Sequence, residues 1–469
     1  MKKELYDFGM VGLGVMGRNF LLNVADNGYA AIGLDKDEKQ VLAFANEAAG
    51  KNATSTTDVK TFVSSLKTPR KIMMLVPAGK IVDYVIADLV EYLEPGDLLM
   101  DGGNSFFVDT DRRLADLKKK KILYLGVGVS GGAEGARLGP SIMPGGSKQA
   151  YNKVKKILAA VSAKVNDEPC VAYMGNGSAG NYVKMVHNGI EYAMMQLLAE
   201  SYDILKHVGG LDNNALQKAY TKYNRGRLKS FLVEITASIF GQADELSKGS
   251  LIDVILDKAK QKGTGKWTSQ NAMDFGIPTP TIDAAVTMRG VSSLKAERVK
   301  ASKILAVKAT KTKVEQKKLV KIVGEALHFS FIVAYTQGLA LLAEASKEKG
   351  YKLDLEATAR IWRGGCIIRA SLLEDIRTAY AENPDLANLM VDERFAKSLK
   401  TNQKGLRSTL KLAIDAGIPT MAFSSALAYF DAYRQERLPL NLVQAQRDFF
   451  GSHTYERIDK AGSFHTEWK

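Results

Sequence analysis

Residues 7–35 read DFGMVGLGVMGRNFLLNVADNGYAAIGLD, a pattern that sets the architecture of the N-terminal part of the chain. A short apolar strand over 7–12 runs into Gly12, Gly14 and Gly17, spaced G-x-G-x-x-G, and a helical run over 18–27 follows. A second strand over 30–34 ends at Asp35. Strand, glycines, helix, strand and acidic residue within one unit of about 30 residues read as the dinucleotide-binding element of a Rossmann domain. The glycines let a pyrophosphate approach the backbone at the positive end of the helix. Gly12, Leu13, Gly14, Val15, Met16 and Gly17 are therefore expected at the pyrophosphate, with Asp35, Lys36 and Asp37 at the adenosine ribose.

Outward from this unit, strands are expected over 71–76, 98–101 and 122–127. Each runs into turn-rich sequence: Pro77-Ala78-Gly79, then Gly102-Gly103-Asn104-Ser105, then Ser130-Gly131-Gly132. In an open parallel sheet the crevice lies beyond the carboxyl ends of the strands, which places these loops around the nicotinamide end of a cofactor. After about residue 177 the pattern changes to long helical periodicities, and the chain repeats itself. GIPT occurs at 276 and at 417, 141 residues apart, and LLAE at 197 and at 341, 144 apart. The reading is an α/β Rossmann domain over 1–178, a large all-α domain with an internal duplication over 179–440, and a C-terminal tail over 441–469.

The first helix of that domain carries NYVKMVHNGIEY at 181–192. In a helix, Lys184, His187, Asn188, Glu191 and Tyr192 fall within about 140° of one face. An amine, an imidazole, an amide, a carboxyl and a phenol, one of each, are the inventory of a site rather than of a solvated face. The duplication supplies an internal comparison: at an offset of 144, Lys184 stands opposite His328, His187 opposite Phe331, Asn188 opposite Ile332 and Glu191 opposite Tyr335. Groups needed only to build the helical unit would be expected in both copies, and much of this face is apolar in the second.

Composition narrows the partners. The net charge of +14, from 65 basic and 51 acidic residues, comes without a Lys/Arg-rich tail or a basic-aromatic repeat, so small anionic substrates fit it better than nucleic acid. Cys170 and Cys366 are far apart and in no metal-ligand spacing, which points to a reducing compartment, the cytoplasm, and to no metal centre. Glu4, Asp7 and Arg18 break the pattern of a secretory signal. The uncharged run over 326–343 contains His328, Ser330, Tyr335, Thr336 and Gln337 and reads as a buried bundle helix, not a membrane span. QKGTGKW at 261–267 lacks the Walker spacing, although its lysine, threonine and glycine amides suit a phosphate. Arg447 and His453 lie in a tail suited to docking on another subunit.

GLGVMG at 12–17, VSGG at 129–132, KMVHNGIEY at 184–192, QKGTGKWT at 261–268 and QAQRDFFGSHTYE at 444–456, in this order across nearly the whole chain, resemble decarboxylating 6-phosphogluconate dehydrogenases. The resemblance implies oxidation of 6-phosphogluconate to ribulose 5-phosphate and CO2 with reduction of NAD or NADP, without a metal. It also implies a homodimer whose tail threads into the partner. Carried over, Lys184 resembles the general base and Glu191 the general acid. Asn104, Ser130, Gly131, Gly132, His187 and Asn188 look like contacts to the sugar acid. Tyr192, Lys262, Thr264 and Arg289, with Arg447 and His453 of the tail, look like its phosphate end. Val76, Pro77, Ala78 and Asn104 look like cofactor contacts. One departure bears on the cofactor: where NADP-using members usually carry Asn-Arg-Thr or Asn-Arg-Ser, this chain has Asp35-Lys36-Asp37. A carboxylate accepts from a ribose diol and repels a 2′-phosphate, which favours NAD, while Lys36 and Lys39 keep NADP open.

The chemistry makes a demand of its own. Lys184 must be neutral and Glu191 protonated, each against its ordinary tendency, so the two are expected apart or sharing a proton as a coupled pair. The alternatives are a general β-hydroxyacid dehydrogenase, typically shorter and without the duplicated unit, and a catalytically silent nucleotide-sensing scaffold.

Overall fold

β1 (Phe8–Val11) is buried at every position, as a strand covered by helices on both faces must be. Around it, the computed structural model, which describes residues 5–308, 310 and 314–468, builds a seven-stranded sheet. The elements alternate: α1 (Val15–Asp26), β2 (Ala31–Leu34), α2 (Glu38–Glu47), β3 (Ala53–Thr56), α3 (Val59–Ser64), β4 (Lys71–Met74), α4 (Lys80–Val90), β5 (Leu98–Asp101), α5 (Phe107–Lys119), β6 (Leu123–Ser130), α6 (Gly132–Leu138), β7 (Ser141–Gly146) and α7 (Lys148–Val161). The strand order is β3-β2-β1-β4-β5-β6-β7, so the chain reverses direction across the sheet between β1 and β4. All neighbours pair in parallel except β7, which runs antiparallel to β6 with Ser130 opposite Ser141. That pairing draws the sixth strand out to Ser130. The serine expected in a loop therefore closes a strand and is buried, and only Gly131 and Gly132 turn away from it.

A small hairpin, β8 (Lys164–Val165) and β9 (Glu168–Pro169), leads into the helical part. α8 (Ala179–His207) opens it and lies against β6 and β7. Close approach explains the glycines here: a Cβ on Gly180 would lie 2.1 Å from the Gly126 carbonyl oxygen, and one on Gly145 would lie 2.1 Å from the Gly180 nitrogen. α9 (Asn213–Asn224), α10 (Phe231–Gly241), α11 (Thr264–Asp274), α12 (Pro280–Ser293) and α13 (Lys295–Ile304) complete the first unit. The second unit comprises α14 (Gln316–Glu348), α15 (Leu355–Trp362), α16 (Leu372–Glu382), α17 (Glu393–Asp415) and α18 (Met421–Tyr433).

The duplication is visible element by element. α10 and α16 begin 141 residues apart and have equal length, and α12 and α18 also begin 141 apart. The repeated GIPT turns open on Gly276 at φ 65 and Gly417 at φ 68, left-handed conformations that glycine adopts without strain. The units interlock, α8 against α14 and α12 against α18. One contact between them is polar: the buried Glu200 carboxylate of α8 accepts from the Ala422 and Phe423 amides at the start of α18, at 2.8 and 2.9 Å. α14 is the one helix among the described residues long and apolar enough to cross a membrane, and its apolar window is 89% buried inside the bundle, against α8 and α17.

The chain ends in α19 (Leu440–Gly451) and the hairpin of β10 (Tyr455–Glu456) with β11 (Ser463–Phe464). The Asp448 carboxylate gathers this tail by accepting from the Thr454 and Thr466 amides, the His465 ring and the Trp468 indole. Leu440, Leu442, Val443, Phe449 and Phe450 are left exposed along it.

Candidate active site

The first βα turn is built for a ligand to approach it. Gly12 sits at φ +93, and a Cβ on Gly17 would lie 1.9 Å from the Gly12 carbonyl oxygen, so both positions require glycine for the turn itself. Gly14 differs. A Cβ there meets nothing within 4 Å, and Gly14 caps α1 with no side-chain hydrogen bond, which leaves the helix N-terminus open to an anion. Beside it a cleft of about 470 Å³ runs between Gly14, Asp35, Asp37, Val76, Pro77 and Tyr84. The residues present thus fit a dinucleotide. Asp35 braces the turn, accepting from the Leu13 amide at 2.7 Å and the Asp37 amide at 3.0 Å. Lys36 is paired with Asp88 across the cleft at 2.9 Å, and Val15 is exposed at the first turn of α1, with Met16 packed on the sheet core.

Where β6 meets α8, the polar face of the helix comes together. Lys184 is 6% exposed, and its stem lies so close to β6 that a Cβ on Gly128 would be 2.5 Å from Lys184 Cβ. Burial lowers the Lys184 pKa from its ordinary value, opposed by the nearby Glu191 and Cys366. Burial likewise raises the Glu191 pKa, opposed by Lys184 and Arg289. Each shift favours the neutral form. Among the described residues no ion pair within 4 Å joins the two; the nearest ionisable partner of Glu191 is His187 Nδ1, at 3.8 Å.

His187 is fully buried, and burial, with the Lys184 charge next, takes its pKa well below the usual imidazole value. Its Nδ1 lies 3.1 Å from Asn188 Oδ1, which can only accept, so Nδ1 carries the proton and Nε2 accepts from Ser130 Oγ at 3.2 Å. Asn188 in turn donates to Thr264 Oγ1 at 3.1 Å. Ser130, His187, Asn188 and Thr264 therefore form one hydrogen-bonded line from β6 through α8 to α11. α11 can approach this closely because a Cβ on Gly265 would fall 2.5 Å from the Tyr192 ring. The Arg289 guanidinium lies over the same ring, 4.6 Å from its centroid. Lys262 is exposed just before the left-handed Gly263 that starts α11.

Asn104 is exposed at the end of β5, between Gly103 and a buried Ser105, and Ala78 is exposed at the end of β4. Gly131 and Gly132, both at positive φ, begin α6. Of the expected residues, direct contacts join Ser130, His187, Asn188 and Thr264, and Tyr192 with Arg289. The chain does not bring in Arg447 or His453: Arg447 donates to Gln444, the His453 ring lies against Phe450, and among the described residues no hydrogen bond or ion pair links either to the α8 cluster.

Sequence reading missed one wall of this site. The turn after α15 carries Gly364, Gly365, Cys366 and Ile367. The Ile367 amide donates to Ser130 Oγ at 3.5 Å, and the Gly365 carbonyl oxygen would be 2.6 Å from a Cβ on Gly131. The Trp362 and His187 rings meet edge to face with centroids 5.5 Å apart. The Gly-Gly doublet in WRGGCIIR was the available signal.

Comparison with known proteins identifies the family. Residues 7–175 match the family model described as the NAD binding domain of 6-phosphogluconate dehydrogenase, and residues 180–468 match its C-terminal domain. A chloroplastic decarboxylating 6-phosphogluconate dehydrogenase of Arabidopsis thaliana is 50% identical, over 98% of this chain and 96% of its own. The NADP(+)-dependent decarboxylating enzyme of Bacillus subtilis is also 50% identical, over 98% of each chain. The Plasmodium falciparum 6-phosphogluconate dehydrogenase, whose structure is described in apo form and in complexes with NADP+ and with 6-phosphogluconate, superposes at a TM-score of 0.95. It is 44% identical and covers 98% of this chain and 100% of its own. With both family models matched and full-length relatives half identical, the chain belongs to the decarboxylating 6-phosphogluconate dehydrogenase family.

Proposed function

We propose that the chain converts 6-phospho-D-gluconate to D-ribulose 5-phosphate and CO2, a pentose phosphate reaction, with Lys184 as general base and Glu191 as general acid. The observation that carries this reading is the pair itself: on one buried face, beside the sheet ends, the amine is pushed towards its neutral form and the carboxyl towards its protonated form. The bound nicotinamide supplies the hydride acceptor for C3. Lys184 takes the C3 hydroxyl proton as that bond is oxidised. It then returns a proton to the C3 oxygen while the C1–C2 bond breaks and the carboxylate leaves as CO2. The electron pair of that bond becomes the double bond of the enediol, and Glu191 delivers the proton to its terminal carbon, C1 of the product.

Ser130, Gly131, Gly132, Asn104, His187 and Asn188 hold the sugar acid in this reading, and Tyr192, Lys262, Thr264 and Arg289 its phosphate. The neutral His187 supports the assignment, because its Nε2 and the Ser130 hydroxyl offer matched hydrogen bonding without a competing charge. Arg447 and His453 complete the phosphate end from the partner subunit of a homodimer, consistent with a tail that keeps its own contacts and leaves apolar side chains exposed. We divide the chain into a cofactor domain over 1–178, a substrate and dimerisation domain over 179–440 and an exchanged tail over 441–469. Two buried free cysteines accord with a reducing compartment such as the cytoplasm.

NAD is the preferred cofactor in this reading. The adenosine end of the cleft is lined by Asp35, Asp37 and Asp88, and its lining lysine, Lys36, is paired with Asp88, so a 2′-phosphate would face three carboxylates there. The deciding experiment follows absorbance at 340 nm with 6-phosphogluconate and each cofactor. Turnover with neither cofactor refutes the function.

A further inference from the structure

Behind the crevice loops, and outside every group assigned above, lies Arg113 of α5, with a side chain only 2% exposed. Its guanidinium fork spans the loops that follow β4 and β5. Nη2 donates to the Gly79 carbonyl oxygen at 2.9 Å, and Nη1 reaches Asp101 Oδ2 at 3.3 Å and Ser105 Oγ at 3.4 Å. Nε is held by Asp83 at 2.8 Å. Asp101 is itself fully buried at the end of β5; it accepts from the Gly103 amide at 3.1 Å and from the Tyr124 hydroxyl at 3.1 Å. Asn104 is thus pinned through both neighbours, Gly103 by Asp101 and Ser105 by Arg113. A third tie reaches α8. Asn181 Nδ2 donates to the Gly103 carbonyl oxygen at 3.2 Å, and Asn181 stands one helical turn before Lys184.

We propose that Arg113, acting with Asp101, is a positioning residue for hydride transfer: it joins residues 76–79 and 102–105 into one unit whose place is fixed relative to Lys184. The inference rests on the reaction proposed above. The loop after β4 and Asn104 then cannot shift separately, and the distance between the nicotinamide and C3 is set from behind. A planar fork suits this task, because it presents donors in three directions at once, whereas a lysine ammonium is a point charge that cannot keep Gly79, Asp101 and Ser105 together. Displacing reacting atoms by about 1 Å costs a rate factor on the order of 100.

The test uses the full-length enzyme, 6-phosphogluconate and the same substrate deuterated at C3. Wild-type turnover is measured first; its absence refutes the proposed reaction and not this inference. Arg113→Lys is expected to lower kcat at least tenfold and to raise the primary deuterium isotope effect on kcat, because the hydride step alone becomes slower. Ser105→Ala, which removes one contact and keeps the ion pair, is expected to raise the isotope effect as well, with a smaller fall in kcat, so the inference stays testable if Arg113→Lys does not fold. Arg112→Ala is the control. That exposed neighbour shares Asp83 but touches neither loop, and it is expected to leave kcat and the isotope effect unchanged. Arg113→Lys with kcat within twofold of wild type overturns the proposal. So does a fall in kcat with an unchanged isotope effect in variants that melt as wild type does, because that places the loss in a step other than hydride transfer.

Discussion

Gly128→Ala tests whether the placement of Lys184 relative to the sheet is what catalysis depends on. The position lies within β6, where alanine is conformationally acceptable, so the change acts through space alone. The added methyl would sit 2.5 Å from Lys184 Cβ, 3.2 Å from its Cγ and 2.9 Å from the Gly180 carbonyl oxygen. Carbon atoms prefer about 3.5–4.0 Å, so helix and strand must separate by roughly 1.0–1.5 Å at this point. Neither neighbour is the free end of a flexible chain; one is a Cβ fixed to the α8 backbone and the other is backbone itself. Overpacking of this kind costs about 1–3 kcal/mol of stability. Moving the Lys184 amine by about 1 Å lowers kcat on the order of 100-fold. Steady-state turnover of 6-phosphogluconate, measured beside a thermal melt, separates the two effects. A variant that melts as wild type does and keeps kcat within threefold refutes the claim that this contact sets the base.

Lys184→Ala and Glu191→Ala should each retain less than a tenth of wild-type turnover, read in the same assay. In the wild type, activity falls as pH drops through the lowered Lys184 pKa, where the base becomes protonated, and falls again as pH rises through the raised Glu191 pKa, where the acid is lost. The limbs belong to the pair and lie between the ordinary carboxyl and amine values, 4.5 and 10.5, and a profile of kcat/KM flat across that whole span would remove both roles. The kcat/KM for NAD should exceed that for NADP, and a tenfold or greater preference for NADP rejects the part given to Asp35. Burial lifts the Glu200 pKa from 4.5 to about 7, outweighing the Ala422 and Phe423 amides that favour its ionised form. The folded chain then holds this proton more tightly than the unfolded one. Unfolding free energy should decline by about 3 kcal/mol as pH climbs from about 4.5 to about 7, and Glu200→Gln should flatten that slope in denaturant melts. An unaltered slope in the variant assigns it to other groups.

The parts of this molecule that were legible in the sequence are those where local pattern and fold agree. The glycine turn needs glycine for reasons that act within a few residues, and the repeated GIPT turns reproduce the same φ at Gly276 and Gly417. β3 and β7 were illegible for opposite reasons. ATST has little apolar content because it forms one edge of the sheet, and SIMPGG carries Pro144 and two glycines yet pairs as the other edge, where a missing amide is tolerated. Arg113 stands in DRRL, indistinguishable from a solvated helix charge until α5 is packed against the sheet. The wall at 364–367 is brought to Ser130 across more than 200 residues of chain, a separation no local pattern reports.

The interlocking of the two helical units also governs how the chain comes into being. α8 finds its principal helical neighbour only in α14, which is completed 141 residues after α8 ends. At the usual pace of synthesis, about 5–20 residues per second, the apolar surface of α8 waits on the order of 7–30 s for its cover. A chain arrested before residue 316 would leave uncovered the part of α8 that α14 buries, although α11 and α12 already pack on it. The second unit, which carries little of the polar face of the first, thus completes the packing of the helix that carries Lys184, through long-range contacts of the kind that slow folding.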